Sequence, residues 1–338
     1  MSWKNKIITP LLSGLSQGKL KWAGRKDVLT ILAYHRILPD DDDFLFDRGV
    51  ISASPDVFRE QMEFVSGNFQ VTNFFRLERN LRQKIPFNRP PLIITFDDGY
   101  LDNYQHAYPI LRSMGLTATI FLTAEYIGTD RLFWWDSVAY QINRTVRPAI
   151  DLKISGEAAV RRISLKNKEG AIHDILRIMK NVDNAARLDL IRQITQQTGV
   201  NPEGADHPRQ ILNWDEARIM ADNNIEFGSH TMSHPILANV TEPKTLDYEI
   251  RESKSVIESH TGKGVTVISY PVGRRESING AVLDAVRKAN YTFGVTYQHG
   301  INPINFIEND KYLKRFDIDR YTIDRFKAKL AFPGLFKR

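Results

Sequence analysis

Short apolar runs alternate with amphipathic stretches along most of the chain. Val28 to Tyr34, Leu92 to Phe96 and Ala118 to Leu122 each read as a strand, and the pattern from Tyr104 to Met114 predicts a helix between the last two. That succession is a β-α-β unit. After Trp214 the rhythm resumes, with a helix to about Asn223, a strand at Ile225 to Gly228 and a helix from Thr245 to Ser259. A strand at Val265 to Tyr270, a helix near Ala281 to Lys288, a strand at Thr292 to Tyr297 and a last strand around Leu313 to Ile318 follow. Such alternation predicts the α/β class with a parallel sheet or barrel. From about Val138 to Pro208 the rhythm gives way to charged, helical sequence such as Ala171 to Lys180. It is too long for an ordinary loop and reads as a helical insertion over one end of the barrel.

Composition narrows the chemistry more than the fold. With 338 residues and 42% hydrophobic content the chain can bury a large core. It has no cysteine, which excludes disulfides, thiolate ligands and a cysteine nucleophile, so any metal must bind nitrogen and oxygen. The net charge of +6 comes from 46 basic and 40 acidic residues and is clearest at the two ends, Lys4 to Lys26 and Lys311 to Arg338. No nucleic-acid-binding motif accompanies it, so no nucleic-acid partner is expected; a basic nucleic-acid binder would show strongly salt-dependent binding.

The apolar stretch Ile7 to Leu15 is broken by Pro10 and Ser13 and reads as an uncleaved segment. No apolar run approaches the ~20 residues of a membrane span. Residues 1–26 are therefore expected to be a basic N-terminal segment, 27–325 the barrel, and 326–338 a basic apolar tail. That tail either rests on an anionic membrane surface or packs its aromatics on the domain. The expected location is the cytoplasm, with peripheral contact to the inner membrane through the basic termini, and the periplasm stays open. Oligomeric state is not legible.

Two clusters carry candidate chemistry. Leu92-Ile93-Ile94-Thr95-Phe96-Asp97-Asp98-Gly99 delivers two adjacent carboxylates to a glycine. Neighbouring side chains on a strand point to opposite faces, so the pair shares a site only where the strand ends, and Gly99 supplies the break. Two such carboxylates repel unless a cation relieves them, and a metal on one leaves the other free as a base. Alone, Asp-Asp-Gly reads more readily as a turn with a helix N-cap than as an active site. The second cluster, His230-Thr231-Met232-Ser233-His234, has an i, i+4 spacing that puts both imidazoles on one side of a helical turn, within about 2.0–2.1 Å of one zinc ion. Alone, it is equally a pair of loop histidines. Both clusters follow predicted strands, and their co-occurrence favours a metal site.

Thr95-Phe96-Asp97-Asp98-Gly99-Tyr100 and His230-Thr231-Met232-Ser233-His234 resemble the first two motifs of the polysaccharide deacetylases, the NodB-homology or carbohydrate esterase 4 family. Ala118 to Leu122, Phe133 to Asp136, Leu212 to Asp215 and Ser269 to Gly273 extend the likeness over roughly His35 to Arg315. The resemblance implies a distorted (β/α)7 barrel and hydrolysis of the N-acetyl group of an amino sugar, with an N-acetylated saccharide as partner and a role in surface polysaccharide biosynthesis or modification. It implies Asp98, His230 and His234 as metal ligands and Asp97 as catalytic base. The ion is by default Zn²⁺, although this donor set also accepts Co²⁺, Ni²⁺ or Fe²⁺. It further implies a backbone N–H at Tyr270 for the oxyanion, beside Pro271. Trp135 is a candidate to stack on sugar, and Asp136 to bind hydroxyls or cap a helix. A lipid-linked sugar substrate and a catalytically silent carbohydrate-binding barrel are the alternatives.

Two departures from the family pattern concern the acid and the arginine. The strand Gly294 to Gly300 holds His299 out of register with the usual late Leu-His motif, whereas His35 ends an early strand, as in the permuted exopolysaccharide deacetylase branch. His35 is preferred over His299 as general acid. Ser269 stands where the common motif has an arginine, so the partner of Asp97 is unassigned between Arg274 and Arg315.

Overall fold

The computed structural model describes residues 26–157, 159–204 and 206–331. Seven parallel strands close into a ring in chain order: β1 (Val28–Tyr34), β2 (Pro91–Phe96), β3 (Ala118–Leu122), β4 (Ile225–Ser229), β5 (Val267–Ser269), β6 (Phe293–His299) and β7 (Leu313–Asp317), which returns to β1. Two short strands, Gln70–Thr72 beside β2 and Asn302–Pro303 antiparallel to β1, join from outside. Helices of eight residues or more are α1 (Pro55–Asn68), α2 (Phe74–Arg82), α3 (Trp134–Arg144), α4 (Lys168–Met179), α5 (Asn184–Thr198), α6 (Trp214–Asp222), α7 (Ser253–Thr261), α8 (Gly280–Lys288) and α9 (Ile323–Ala331). The expected distorted (β/α)7 barrel is present.

Strand parity sorts the core into two layers. Leu29 and Ile31 of β1, Ile93 of β2, Phe121 of β3, Val267 of β5, Phe293 and Val295 of β6 and Leu313 of β7 form one apolar cluster inside the ring. Leu32, Tyr34, Leu92, Ile94, Phe96 and Ile120 belong to the other, between ring and helices. All six residues of β2 are buried, as a strand covered on both faces requires. Helix α2 closes the bottom with Phe74 and Leu77 in the inner cluster. Glu226 of β4 accepts hydrogen bonds from the Phe74 and Phe75 N–H groups at the N-terminus of α2 (2.9 and 2.7 Å), where a carboxylate suits the helix dipole. The opposite end of the barrel is left for the site.

The structure departs from the sequence reading in three places. Between β3 and β4 the segment expected to be helical also contains an antiparallel hairpin, Ala149–Leu152 with Arg161–Ser164, flanked by α3, α4 and α5. Its strands are four residues each, too short for period-two alternation to stand out. The helices expected at Tyr104 to Met114 and Thr245 to Ser259 each contain a wide π-type turn, at Asn103–Ala107 and Tyr248–Glu252. Residues 326–331 of the expected tail belong to α9, with Phe326 and Leu330 buried in the core and Phe326 edge-on to Phe64. Residues 1–25 and 332–338, with their proposed membrane contact, lie outside the described residues. Among the described residues no helix is long and apolar enough to cross a membrane.

Candidate active site

Inward parity, continued past the ends of the strands, delivers the chemistry. On β1 the inward series Leu29, Ile31 leads to His35; on β2 Ile93 leads to Asp97; on β7 Leu313 leads to Arg315. Asp98 would point outward by the same rule. Its φ of +76° breaks the alternation, and Gly99 follows at +80°. A side chain at Gly99 would lie 2.9 Å from Leu122 Cδ2 and 3.0 Å from Ile127 Cδ1, so both conformation and packing require glycine there.

The histidine pair comes together differently from the sequence expectation. His230 and His234 do not sit on a helical turn; they flank an irregular loop in which Thr231 (φ +70°) and His234 (φ +61°) are left-handed. Glu249, carried by the wide turn at Tyr248–Glu252, accepts from the Met232 and Ser233 N–H groups (3.0 and 2.9 Å) and from the Ser233 hydroxyl. The Thr231 hydroxyl accepts from the His234 N–H at 3.0 Å. Left-handed non-glycine residues are costly and persist where surroundings over-determine them, as here.

These distortions gather three buried donors. His230 Nε2 and His234 Nε2 lie 3.4 and 3.6 Å from Asp98 Oδ1, and one ligand atom of each residue lies within 4.8 Å of the others. His230 Nδ1 is 2.7 Å from the Ser269 carbonyl, which can only accept, so Nδ1 carries a proton and Nε2 is the nitrogen that faces the cluster. Both Asp98 oxygens are buried without a hydrogen-bond donor. Orphaned carboxylate oxygens facing two imidazoles fit a divalent cation. Burial, reinforced by His230, pushes the His234 imidazole down to about 3, leaving it neutral as a ligand must be.

Asp97 is held apart from that trio by an arginine. Arg315 is fully buried and makes a two-pronged contact, Nη1 to Oδ1 at 2.7 Å and Nη2 to Oδ2 at 2.8 Å, while Nε donates to the Thr296 carbonyl. Ser269, standing where an arginine was expected, accepts from Arg315 Nη2 at 3.0 Å. The guanidinium thus reaches the same carboxylate from β7 instead of β5, and Arg274 does not pair with Asp97. Burial alone would raise the proton affinity of Asp97, but Arg315, helped by His230 and His35, outweighs it and keeps the carboxyl well below its ordinary range.

His35 Nε2 lies 4.0 Å from Asp97 Oδ2 and lines the same cavity of about 520 Å³. His299 does not line it; its Nδ1 is 3.5 Å from Asp317 Oδ1, in a neighbouring cavity. Tyr270 lines the catalytic cavity, but its N–H cannot serve an oxyanion because it donates to the Val295 carbonyl at 3.1 Å. Pro271 is buried and does not line the cavity, whereas Val272, left-handed at φ +63°, does. Trp135 lines the wall with its ring 4.8 Å from that of His234. Its Nε1 donates to the Tyr100 hydroxyl (2.6 Å), which donates to Asp136 (2.8 Å). Asp136 is fully buried, pushed up to about 7 by desolvation, and neither faces solvent nor caps a helix. It fixes Tyr100 and through it Trp135. The sequence reading missed Glu249; its role depends on the wide turn, which no local sequence signal announces.

Residues 84–294 match the family model "Polysaccharide deacetylase". The Bacillus subtilis protein YxkH, whose name places it among polysaccharide deacetylases, is 25% identical over 209 residues, 62% of this chain and 45% of that protein; the match thus spans less than half of YxkH. Among solved structures, the Streptococcus pyogenes deacetylase PplD in complex with acetate aligns over 89% of this chain and 97% of its own, with a TM-score of 0.57 and 19% identity. IcaB from Ammonifex degensii aligns over 90% and 96%, with a TM-score of 0.55 and 15% identity. At these identities the structural likeness speaks to the fold.

Proposed function

Since the chain belongs to the polysaccharide deacetylase family, we propose that it hydrolyses N-acetyl groups of amino sugars in a polysaccharide or oligosaccharide, with a divalent metal as cofactor, in the making or modification of a surface polysaccharide. One observation carries the reading: a buried Asp98–His230–His234 trio and the separate carboxylate of Asp97, which Arg315 holds from behind, open onto one cavity. Asp98, His230 and His234 would hold the ion, which when bound supplies Lewis-acid polarisation of the amide and acidifies water. That acidification matters, because a carboxylate as strongly stabilised as Asp97 is a weak base. Asp97 takes the proton of the attacking water, and Arg315 fixes its orientation. The oxyanion needs an N–H donor; with that of Tyr270 committed to the barrel, the amide of Val272 is the assignment.

His35 gives a proton to the departing sugar nitrogen. An amide cannot expel an amine unprotonated, whereas 4-nitrophenyl acetate expels a stable phenolate. His35→Gln is therefore expected to lower amide turnover by about 10²–10⁴-fold and to affect the aryl ester much less. Equal losses on both substrates would remove His35 from the acid role.

The reading itself is tested by acetate release from a panel of N-acetylated oligosaccharides and lipid-linked sugars. Release is expected from at least one, to stop on chelation and to return with added Zn²⁺. Failure of every substrate, with and without metal, would overturn it.

A further inference from the structure

Two segments hold the positive charge of this chain. Residues 1–25 contain five basic residues and no acidic one, and residues 74–89 contain five basic residues against Glu78 alone. Their combined excess is larger than the net +6 of all 338 residues, so the rest of the molecule is net acidic. The excess gathers at one end of the barrel. Residues 74–89 are α2, which closes the bottom, and the loop that leads from it into β2. Residues 1–25 join the fold at that same end, since Asp27 immediately precedes β1 and its carbonyl accepts from the Ile304 N–H at 2.8 Å.

Apolar side chains stand exposed there too. Among the described residues the two exposed phenylalanines are Phe75 (60%) and Phe306 (80%). Phe75 lies on α2, and Phe306 ends the turn Ile304–Phe306, whose Ile304 packs, like Leu81 of α2, against the inner cluster. Ile85, also exposed, follows α2 and donates its N–H to the Asn80 carbonyl at 2.8 Å.

The helix sorts these groups by its period. Phe74 and Leu77 are buried in the inner cluster, while Phe75, Arg79 and Arg82, at i, i+4 and i+7, share the exposed face. Arg82 pairs with Glu78 at 2.6 Å, but among the described residues neither Arg79 nor Lys84 has a side-chain hydrogen bond or ion pair. The loop of Phe306 carries Glu308 and Asp310, so the cationic character of this end comes from α2, its following loop and residues 1–25.

We propose that the closed end of the barrel rests on an anionic bilayer. Phe75, Ile85 and Phe306 enter the headgroup region, and Arg79, Lys84 and the basic residues of 1–25 meet lipid phosphates. A soluble polyanion would answer the charge and leave the apolar side chains in water, whereas a bilayer surface answers both. The catalytic cavity lies at the other end of the barrel. It therefore opens away from the membrane, toward saccharide in the aqueous phase.

The test uses the full chain with vesicles of phosphatidylcholine containing about one-third phosphatidylglycerol, and with phosphatidylcholine alone. The sequence has no cysteine, so Phe306→Cys and Val146→Cys each supply a single thiol for an environment-sensitive dye. Val146 is 98% exposed and follows α3, whose Trp135 lines the catalytic cavity. Sedimentation with the anionic vesicles is expected, weakened by salt, with a blue shift of the dye at 306 and none at 146. Arg79→Gln combined with Lys84→Gln, both at exposed positions, is expected to weaken vesicle binding about thirty-fold. No binding to the anionic vesicles would overturn the proposal. So would binding that shifts the dye at 146 instead, or binding that the double variant leaves intact with no shift at 306, which would assign the contact to residues 1–25 alone. A dye at 306 already shifted without lipid would mean that residues 1–25 or a second copy cover this end, and would overturn it as well.

Discussion

Replacing Arg315 with methionine is expected to lower the unfolding free energy by about 3–5 kcal/mol at neutral pH, the cost of stranding a buried charge. The guanidinium holds Asp97 with two short hydrogen bonds and also reaches Ser269 and the Thr296 carbonyl, all within the barrel. Methionine fills much of the volume and supplies no donor. The pH dependence has a definite sign. In the native chain Asp97 is depressed below its unfolded value, so its contribution to stability is present above the ordinary carboxylate range and is lost as pH falls toward the folded value. Without Arg315 the burial that remains raises Asp97 instead, and its ionised form becomes a penalty that protonation relieves. The deficit of the variant should therefore be largest at neutral pH and shrink on acidification, as urea unfolding across pH would record. Its activity should fade at a higher pH than that of the native chain as the medium is acidified.

Asp98→Asn is expected to abolish metal binding and with it acetate release. Both oxygens of Asp98 are buried without donors, and the imidazoles of His230 and His234 lie 3.4 and 3.6 Å from Oδ1. Asparagine keeps the shape and removes the charge that would hold a dication beside two neutral ligands. Zinc at roughly 1,000 times its Kd should stabilise the native chain by about 4 kcal/mol and the variant by almost nothing. Thermal unfolding with and without zinc reads this directly, independent of any substrate.

The strand-helix rhythm was sufficient to anticipate the barrel because most of its strands are short, buried apolar runs separated by amphipathic segments. Period-two parity was also sufficient, in principle, to find more of the site than it did. Counting from the inward residue Leu313 leads to Arg315 as surely as counting from Ile93 leads to Asp97. Arg315 stayed undistinguished from Arg274 because most arginines are exposed. The rest was hidden for a different reason. The turn at Asp98 and the two left-handed residues of the 230–234 loop depart from regular geometry, and that loop is held by Glu249 from a distant wide turn as well as by its own Thr231 hydroxyl. Spacing alone suggested a helical turn for His230 and His234. The bulge in β6 likewise comes from a mismatch with β7 and has no signature within Phe293–His299 itself.

Asp97 and Asp98, adjacent carboxylates, do different work, and Asp97→Asn separates them. On the zinc-loaded chain the variant is expected to keep the zinc content and zinc-induced thermal shift of the native protein while acetate release falls by about 10²–10⁴-fold. Loss of zinc together with activity, or turnover that survives the substitution, would contradict it.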